Sequence, residues 1–180
     1  MNNIKRLLSL ALVFIMVFSF AGCHKKDEIA VTVGDVEFTS AYYMLALVSA
    51  DSEAKSKVYE KLTDEEKQKE IDYYSKEIDG KKFTEWVEDK AIEQLKEIAA
   101  FKTLCKENKI ELSDETMTEI NNTTDYYWQS YSAFYEPNGV GKNTYVKNMT
   151  DTYYAEEYFK FIYGEGGKKA IASDEEGKTL

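Results

Sequence analysis

Few residues in this chain could do chemistry, and their positions decide of what kind. There are two cysteines, Cys23 and Cys105, and a single histidine, His24. His24 abuts Cys23 near the start of the chain, so no nucleophile, base and acid can be assembled around it. Cysteines and histidine alike lack metal-ligand spacing. Gly164, Gly166 and Gly167 match a phosphate loop in glycine content alone, with no strand before them and no Lys-Ser/Thr pair after them. A flexible connector is the plainer reading. Among 33 acidic residues chance carboxylate pairs are certain, so no glycosidase-like dyad is read from them. Cys105 falls on the apolar stripe of a predicted helix, where a free thiol acts as a small hydrophobe. What remains is aromatic. Tyr126, Tyr127, Trp128, Tyr131, Phe134 and Tyr135 crowd one predicted helix, and Tyr153, Tyr154, Tyr158 and Phe159 the next. Two such faces cannot both be core in a small domain. Part of the set packs between helices, and the rest is left to line an open groove. There, rings give broad apolar contact at low entropy cost and without a fixed hydrogen-bond code. Tyr127, Tyr131 and Tyr154 are the candidates for binding an unfolded peptide.

The start of the chain is read separately. Lys5 and Arg6 precede an apolar run, Leu7 to Phe20, of about 14 residues, shorter than the roughly 20 needed to span a bilayer core. It suits the core of a signal peptide. Phe20-Ala21-Gly22-Cys23 then resembles the lipobox of bacterial lipoproteins, departing only at Phe20, where that box carries a Leu-type residue. The resemblance implies cleavage before Cys23, a covalent diacylglycerol on its sulfur, and a body tethered to the outer face of the cell membrane. A cleaved leader without lipid is the alternative. A retained anchor is disfavoured, because polar His24 to Glu28 follow at once.

Charge narrows the partners. The whole chain carries −10 at pH 7, and loss of Lys5 and Arg6 with the leader leaves 21 basic against 33 acidic residues, or −12. Nucleic acid is therefore not an expected partner, since neutralising phosphates needs a basic surface. Close adhesion to anionic lipid is disfavoured too, so the domain should stand off its anchor. With Cys23 lipidated, Cys105 has no intrachain partner and no disulfide framework is expected. No small-molecule substrate, metal or cofactor is expected beyond the lipid on Cys23.

These pieces must be positioned by helices. One proline and 14 tyrosines in a chain rich in lysine and glutamate point that way. Residues 23–28 read as a tether and 29–172 as one domain with a core of its own. Ile29 to Val33 and Val36 to Phe38 alternate around Gly34-Asp35 and predict a β-hairpin. Thr39 caps a helix from Ser40, with Tyr43, Ala46, Leu47 and Ala50 on one apolar face. The pattern decays after Asp51, and Val58 and Leu62 either extend it or form a separate turn. Thr63 to Glu66 has capping-box spacing and opens a predicted surface helix with a thin stripe of Ile71, Tyr74 and Ile78, stopping at Gly80. Thr84 to Asn108 is the strongest helix, its stripe running through Val87, Ala91, Leu95, Ile98, Phe101 and Cys105. Ser113 caps the next, whose apolar stripe runs from Met117 and Ile120 through Tyr127, Trp128, Tyr131, Phe134 and Tyr135 to a break at Pro137-Asn138-Gly139. A last long helix runs from about Asn143 to near Gly164. The expected fold is mainly α, a small N-terminal hairpin packed on a bundle of about four to six helices. Ser173 to Glu176 is a further capping box, and with only Gly177 to Leu180 after it, it reads as the start of a helix cut short over 173–180.

The order of these pieces resembles the N-terminal chaperone domain of the SurA/PrsA group of extracytoplasmic foldases, a domain also related to part of trigger factor. The residues that carry it are the Val31 to Thr39 hairpin entering a helix, with Tyr43 after it, and the Cys105 to Glu115 run. Tyr135 to Tyr145, with Asn138-Gly139 inside it, and Tyr163-Gly164 followed by Ser173 to Glu176 complete the set. The resemblance spans roughly Ile29 to Glu176. It implies an ATP-independent chaperone that binds unfolded or newly secreted polypeptides. In that group a parvulin-type peptidylprolyl isomerase module follows, built on paired histidines, and the residues here contain no such site. A chaperone-only member and a shortened isomerase both fit, and a surface scaffold lipoprotein without chaperone activity is the third reading.

Overall fold

A computed structural model describes residues 28–164 and Gly167. Cys23, the leader, most of the tether and the Ser173 to Glu176 capping box lie outside the described residues. The chain is mainly helical (73%), with the expected two-stranded hairpin at its N-terminal side.

The described residues form two compact units. The first comprises residues up to Glu97 together with Phe134–Gly141. Its hairpin pairs β1 (Ile29–Val33) with β2 (Val36–Thr39), antiparallel, with Val31 opposite Phe38 and Val33 opposite Val36. Gly34, at φ +59, supplies the positive dihedral at the first turn position that a β-carbon would disfavour. A register irregularity between Ile29 and Val31 lets Ala30 and Val31 both be buried, beside Val33 and Phe38. Helix α1 (Ser40–Lys61) follows without a linker. Thr39 caps it, its side chain accepting from the Tyr42 backbone N–H, and the Ser40 N–H donates 2.8 Å to the Glu28 carbonyl.

The inward face of α1 is offset from the predicted one. Tyr42, Ala46, Ala50, Ala54 and Val58 are buried at steps of four, with Leu45 beside them, and the helix continues unbroken through Asp51. Alanines along that row keep the surface flat, so another backbone can approach closely. Tyr43 and Leu47, predicted inward, are only half-buried.

The region after α1 departs most from expectation. Thr63 does form a complete capping box with Glu66, yet α2 (Asp64–Lys67) lasts a single turn. A 3-10 turn (Tyr73–Ser75) and a ribbon of β3 (Glu77–Ile78) with β4 (Lys81–Lys82) replace the predicted surface helix. Asp79 and Gly80 both take positive φ, 54° and 78°, as a tight hairpin turn requires. The ribbon is pinned by Ile78 and Phe83, both buried, and Tyr74 meets the Phe83 ring edge-on at 5.2 Å.

Helix α3 (Phe83–Asn108) is the long predicted helix, begun one residue early. Phe83, Val87, Ala91 and Leu95 are buried at steps of four within the first unit. Gln94 donates to Ser49 of α1 at 3.3 Å, and Lys90 reaches Glu53 at 4.0 Å. Its last turns belong to the second unit, Ile98–Ala133 with the residues from Lys142 on. Lys109, at φ +56, ends the helix, and the Ile110 N–H closes a bond to the Cys105 carbonyl. Ser113 then caps α4 (Asp114–Tyr135) through the Thr116 N–H, as its sequence predicts. A 3-10 turn (Glu136–Asn138) ends on Gly139 in the left-handed region, and α5 (Lys142–Tyr163) follows.

Thr124 on α4 is fully buried, and its hydroxyl has no hydrogen-bond partner among the described residues. An orphaned buried hydroxyl costs about 1–2 kcal/mol. Thr124→Val keeps the shape and removes that group. Denaturant unfolding should show the variant more stable by about 1 kcal/mol, and a loss instead would mean the hydroxyl is satisfied.

Candidate functional site: exposed rings on α4

Helix α4 is covered along one face only. Met117, Ile120, Thr124 and Trp128 recur at steps of three, four and four; Ile120 and Thr124 are fully buried, and Met117 and Trp128 half-buried. Trp128 packs on Tyr145 of α5 with ring centroids 5.6 Å apart. Tyr127 and Tyr131 lie beside that face, and Tyr126 points away from it. The sequence expectation of a continuous apolar stripe through Tyr127, Tyr131 and Phe134 therefore needs correcting. Tyr127 is 42% exposed, Tyr131 47%, Phe134 53% and Tyr126 72%.

The three exposed tyrosines of α4, all in the second unit, form a chain of ring contacts. Tyr127 and Tyr131, one turn apart, stack at 6.2 Å with their planes 25° from parallel. Tyr126 meets Tyr127 edge-on at 5.3 Å. Ring contact of this kind restricts the side chains before any ligand arrives, which lowers the entropy cost of using them. Burial holds the Tyr145 phenol above its ordinary value, with Tyr131 and Tyr127 adding to the effect, so these rings share one neighbourhood.

The structure brings two of the three predicted residues together, Tyr127 and Tyr131. Tyr154, the third, is half-buried on α5, where its backbone carbonyl accepts from the Cys105 thiol at 3.3 Å. Its neighbours Phe159, 59% exposed, and Tyr163 are the open rings of that helix. Tyr126 and Phe159 were the more open rings. The signal for Tyr126 was available: it sits about opposite Ile120 and Thr124 on a 100° wheel.

Cys105 behaves as the predicted buried hydrophobe. Burial first, and Glu157 second, push its thiol above the ordinary 9.0. Burial also raises the Tyr43 and Tyr145 phenols above 10.0, with help from Glu88 at Tyr43. All three groups favour the protonated form more when folded. Their stabilisation is full below the unfolded values and is lost as pH rises through the folded ones. The melting temperature should therefore start to fall only above about pH 9, and a thiol reagent should label Cys105 only on unfolding. A decline between neutrality and pH 8, or rapid native labelling, would contradict this.

One polar cluster escaped the sequence. Asp151 on α5 is 3% exposed; Lys102 donates to Oδ1 at 2.6 Å and Lys147 to Oδ2 at 3.2 Å. Burial, more than the opposing Asp151 charge, holds the Lys147 ammonium below its ordinary value. Lys147 at i−4 was readable, but Lys102 lies 49 residues away. Within the first unit, a cleft of about 610 Å³ opens between Tyr43, Met44 and Leu47 of α1 and the Glu136–Gly139 turn. This is where the two misassigned α1 side chains go.

Among the described residues no group of three or more His, Cys, Asp or Glu could hold a metal ion, and no helix is long and apolar enough to cross a membrane. Comparison with family models, with curated proteins and with solved structures gives no match.

Proposed function

We propose that this protein is a lipid-anchored, extracytoplasmic chaperone that holds unfolded polypeptide on the ring-bearing face of α4. The observation that carries the reading is the trio Tyr126, Tyr127 and Tyr131, each exposed and each in contact with another ring. Solvent-facing aromatics grouped on one element mark a binding surface more than a packing remainder. Tyrosine suits a surface that takes many sequences, because it offers a broad apolar face with a polar tip. The anchoring part of the proposal rests on the leader and on Cys23 in its lipobox-like setting. The order of hairpin, capped helices and aromatic helices supports kinship with the SurA/PrsA group, and through it the holding activity.

The test is suppression of aggregation. A reduced, unfolded client should scatter less light at a stoichiometric ratio of this protein, without ATP. No effect at that ratio would overturn the reading and favour a scaffold lipoprotein. Acceleration of a proline-limited refolding reaction would instead favour the isomerase alternative; none is expected from these residues.

A further inference from the structure

Two exposed tyrosines of the first unit differ from Tyr126 and Tyr127 of α4 in what lies over them. In the first unit, Tyr59 and Tyr74 are each covered by a lysine of the same chain. Lys67 Nζ stands 5.1 Å from the Tyr59 ring centre and Lys55 Nζ 5.5 Å from that of Tyr74. Lys57 stands 5.6 Å from the Trp86 ring. A cation over a ring face is attracted by the ring quadrupole, so these rings already have that contact.

Helix α4 has no such cover to offer. It contains no Lys or Arg; its charges are Asp114, Glu115, Glu119 and Asp125. No lysine lies over Tyr126 or Tyr127 among the described residues. Of the α5 cations, Lys142 pairs with Asp125 of α4 itself at 2.6 Å, which leaves Glu115 and Glu119 as the acids of the Tyr126 side, while Lys147 is held on Asp151 and Lys160 on Glu157. Glu115, Glu119, Asn122 and Tyr126 recur at steps of four, three and four, all exposed, on one side of the helix. That line spans about 16 Å, enough for roughly five residues of extended chain. Carboxylates at one end and open π-faces at the other both attract a cation.

We infer that this face selects polypeptide segments in which Lys or Arg is interspersed with apolar side chains, the cations lying against Glu115, Glu119 and the Tyr126–Tyr127 rings. The inference rests on the holding function proposed above and names its preferred substrate class. Apolar contact supplies the grip, and the acidic, uncapped rings supply the discrimination. Acidic segments are repelled by the same carboxylates.

Fluorescence anisotropy with three unstructured peptides tests it. They share one apolar composition and differ only in whether Lys, Gln or Glu fills the spacer positions. The Lys peptide should bind about tenfold tighter than the Gln peptide, and the Glu peptide weakest, with the spread narrowing at high salt. Glu115→Gln with Glu119→Gln should remove most of the preference while leaving Gln-peptide binding unchanged. Tyr126→Leu with Tyr127→Leu keeps apolar area but lacks the π-faces, and should lower Lys-peptide affinity more than Gln-peptide affinity. Equal binding of all three peptides would overturn the charge selection and leave the holding function standing. A preference that survives both double variants would overturn its placement on α4. Failure to bind any peptide would overturn the holding function itself.

Discussion

Replacing Tyr126, Tyr127 and Tyr131 together by serine should abolish suppression of client aggregation while leaving the fold intact. Each ring has a substantial open face, and covering about half of it with apolar ligand is worth about 1 kcal/mol. Three rings acting together then account for about 3 kcal/mol, or roughly two orders of magnitude in affinity for an unfolded client. The folded state loses little, because exposed positions contribute little to burial. Tyr126→Ser alone should weaken binding by about fivefold with no measurable change in melting temperature. Light scattering with a reduced client measures the first effect and thermal melting the second. Full activity in the triple variant would move the binding surface elsewhere, the α1 cleft with Tyr43, Met44 and Leu47 being the next place to look.

Asp151→Leu should lower stability by about 3 kcal/mol, a drop of roughly 10 °C in melting temperature for a chain of this size. Asp151 is almost fully buried, and each of its oxygens accepts from a different lysine. Removing the carboxylate takes from Lys102 and Lys147 the counter-charge they share. Lys147 relieves part of this by turning to solvent, being half-exposed, which keeps the loss at the low end for a broken buried pair. Lys102, 26% exposed, has less freedom. The triple variant Lys102→Met, Asp151→Leu, Lys147→Met should recover most of the loss, because well-packed apolar groups replace a buried ionic cluster at little net cost. Chemical denaturation of the three forms measures both steps. A single variant as stable as the parent would show that the cluster is solvated.

The elements legible in the sequence were those with one dominant signal. The hairpin had Gly34 between β-branched alternation, and α3 had a stripe of apolar residues sustained over its length. Thr39, Thr63 and Ser113 all cap as their types predict. The misreading of residues 68–79 arose because Ile71, Tyr74 and Ile78 have helical spacing while Asp79-Gly80 has hairpin chemistry, and the turn chemistry won. A single residue in the left-handed region tolerates such a turn, but two in succession specify it. On α4 the stripe was real, yet sequence periodicity reports which way a side chain points and says nothing of whether anything lies there. Tyr127 and Tyr131 could be chosen from the surplus of rings, but their exposure could not. On α5 aromatic residues occur around much of the helix, so periodicity could not separate half-buried Tyr154 from open Phe159.

The path of the backbone limits how this protein can be dissected. The first unit is discontinuous: after leaving it at Glu97 the chain returns for Phe134–Gly141 alone, and that short return carries Val140, which is fully buried. No single scission can yield either body with all its parts. A fragment ending at residue 97 would lack one wall of the α1 cleft, and one beginning at residue 98 would start in the middle of a helix with its N-terminal turns missing. Fragments made by cutting at that boundary should express as aggregates, and the two bodies are best separated by point substitution within the whole chain.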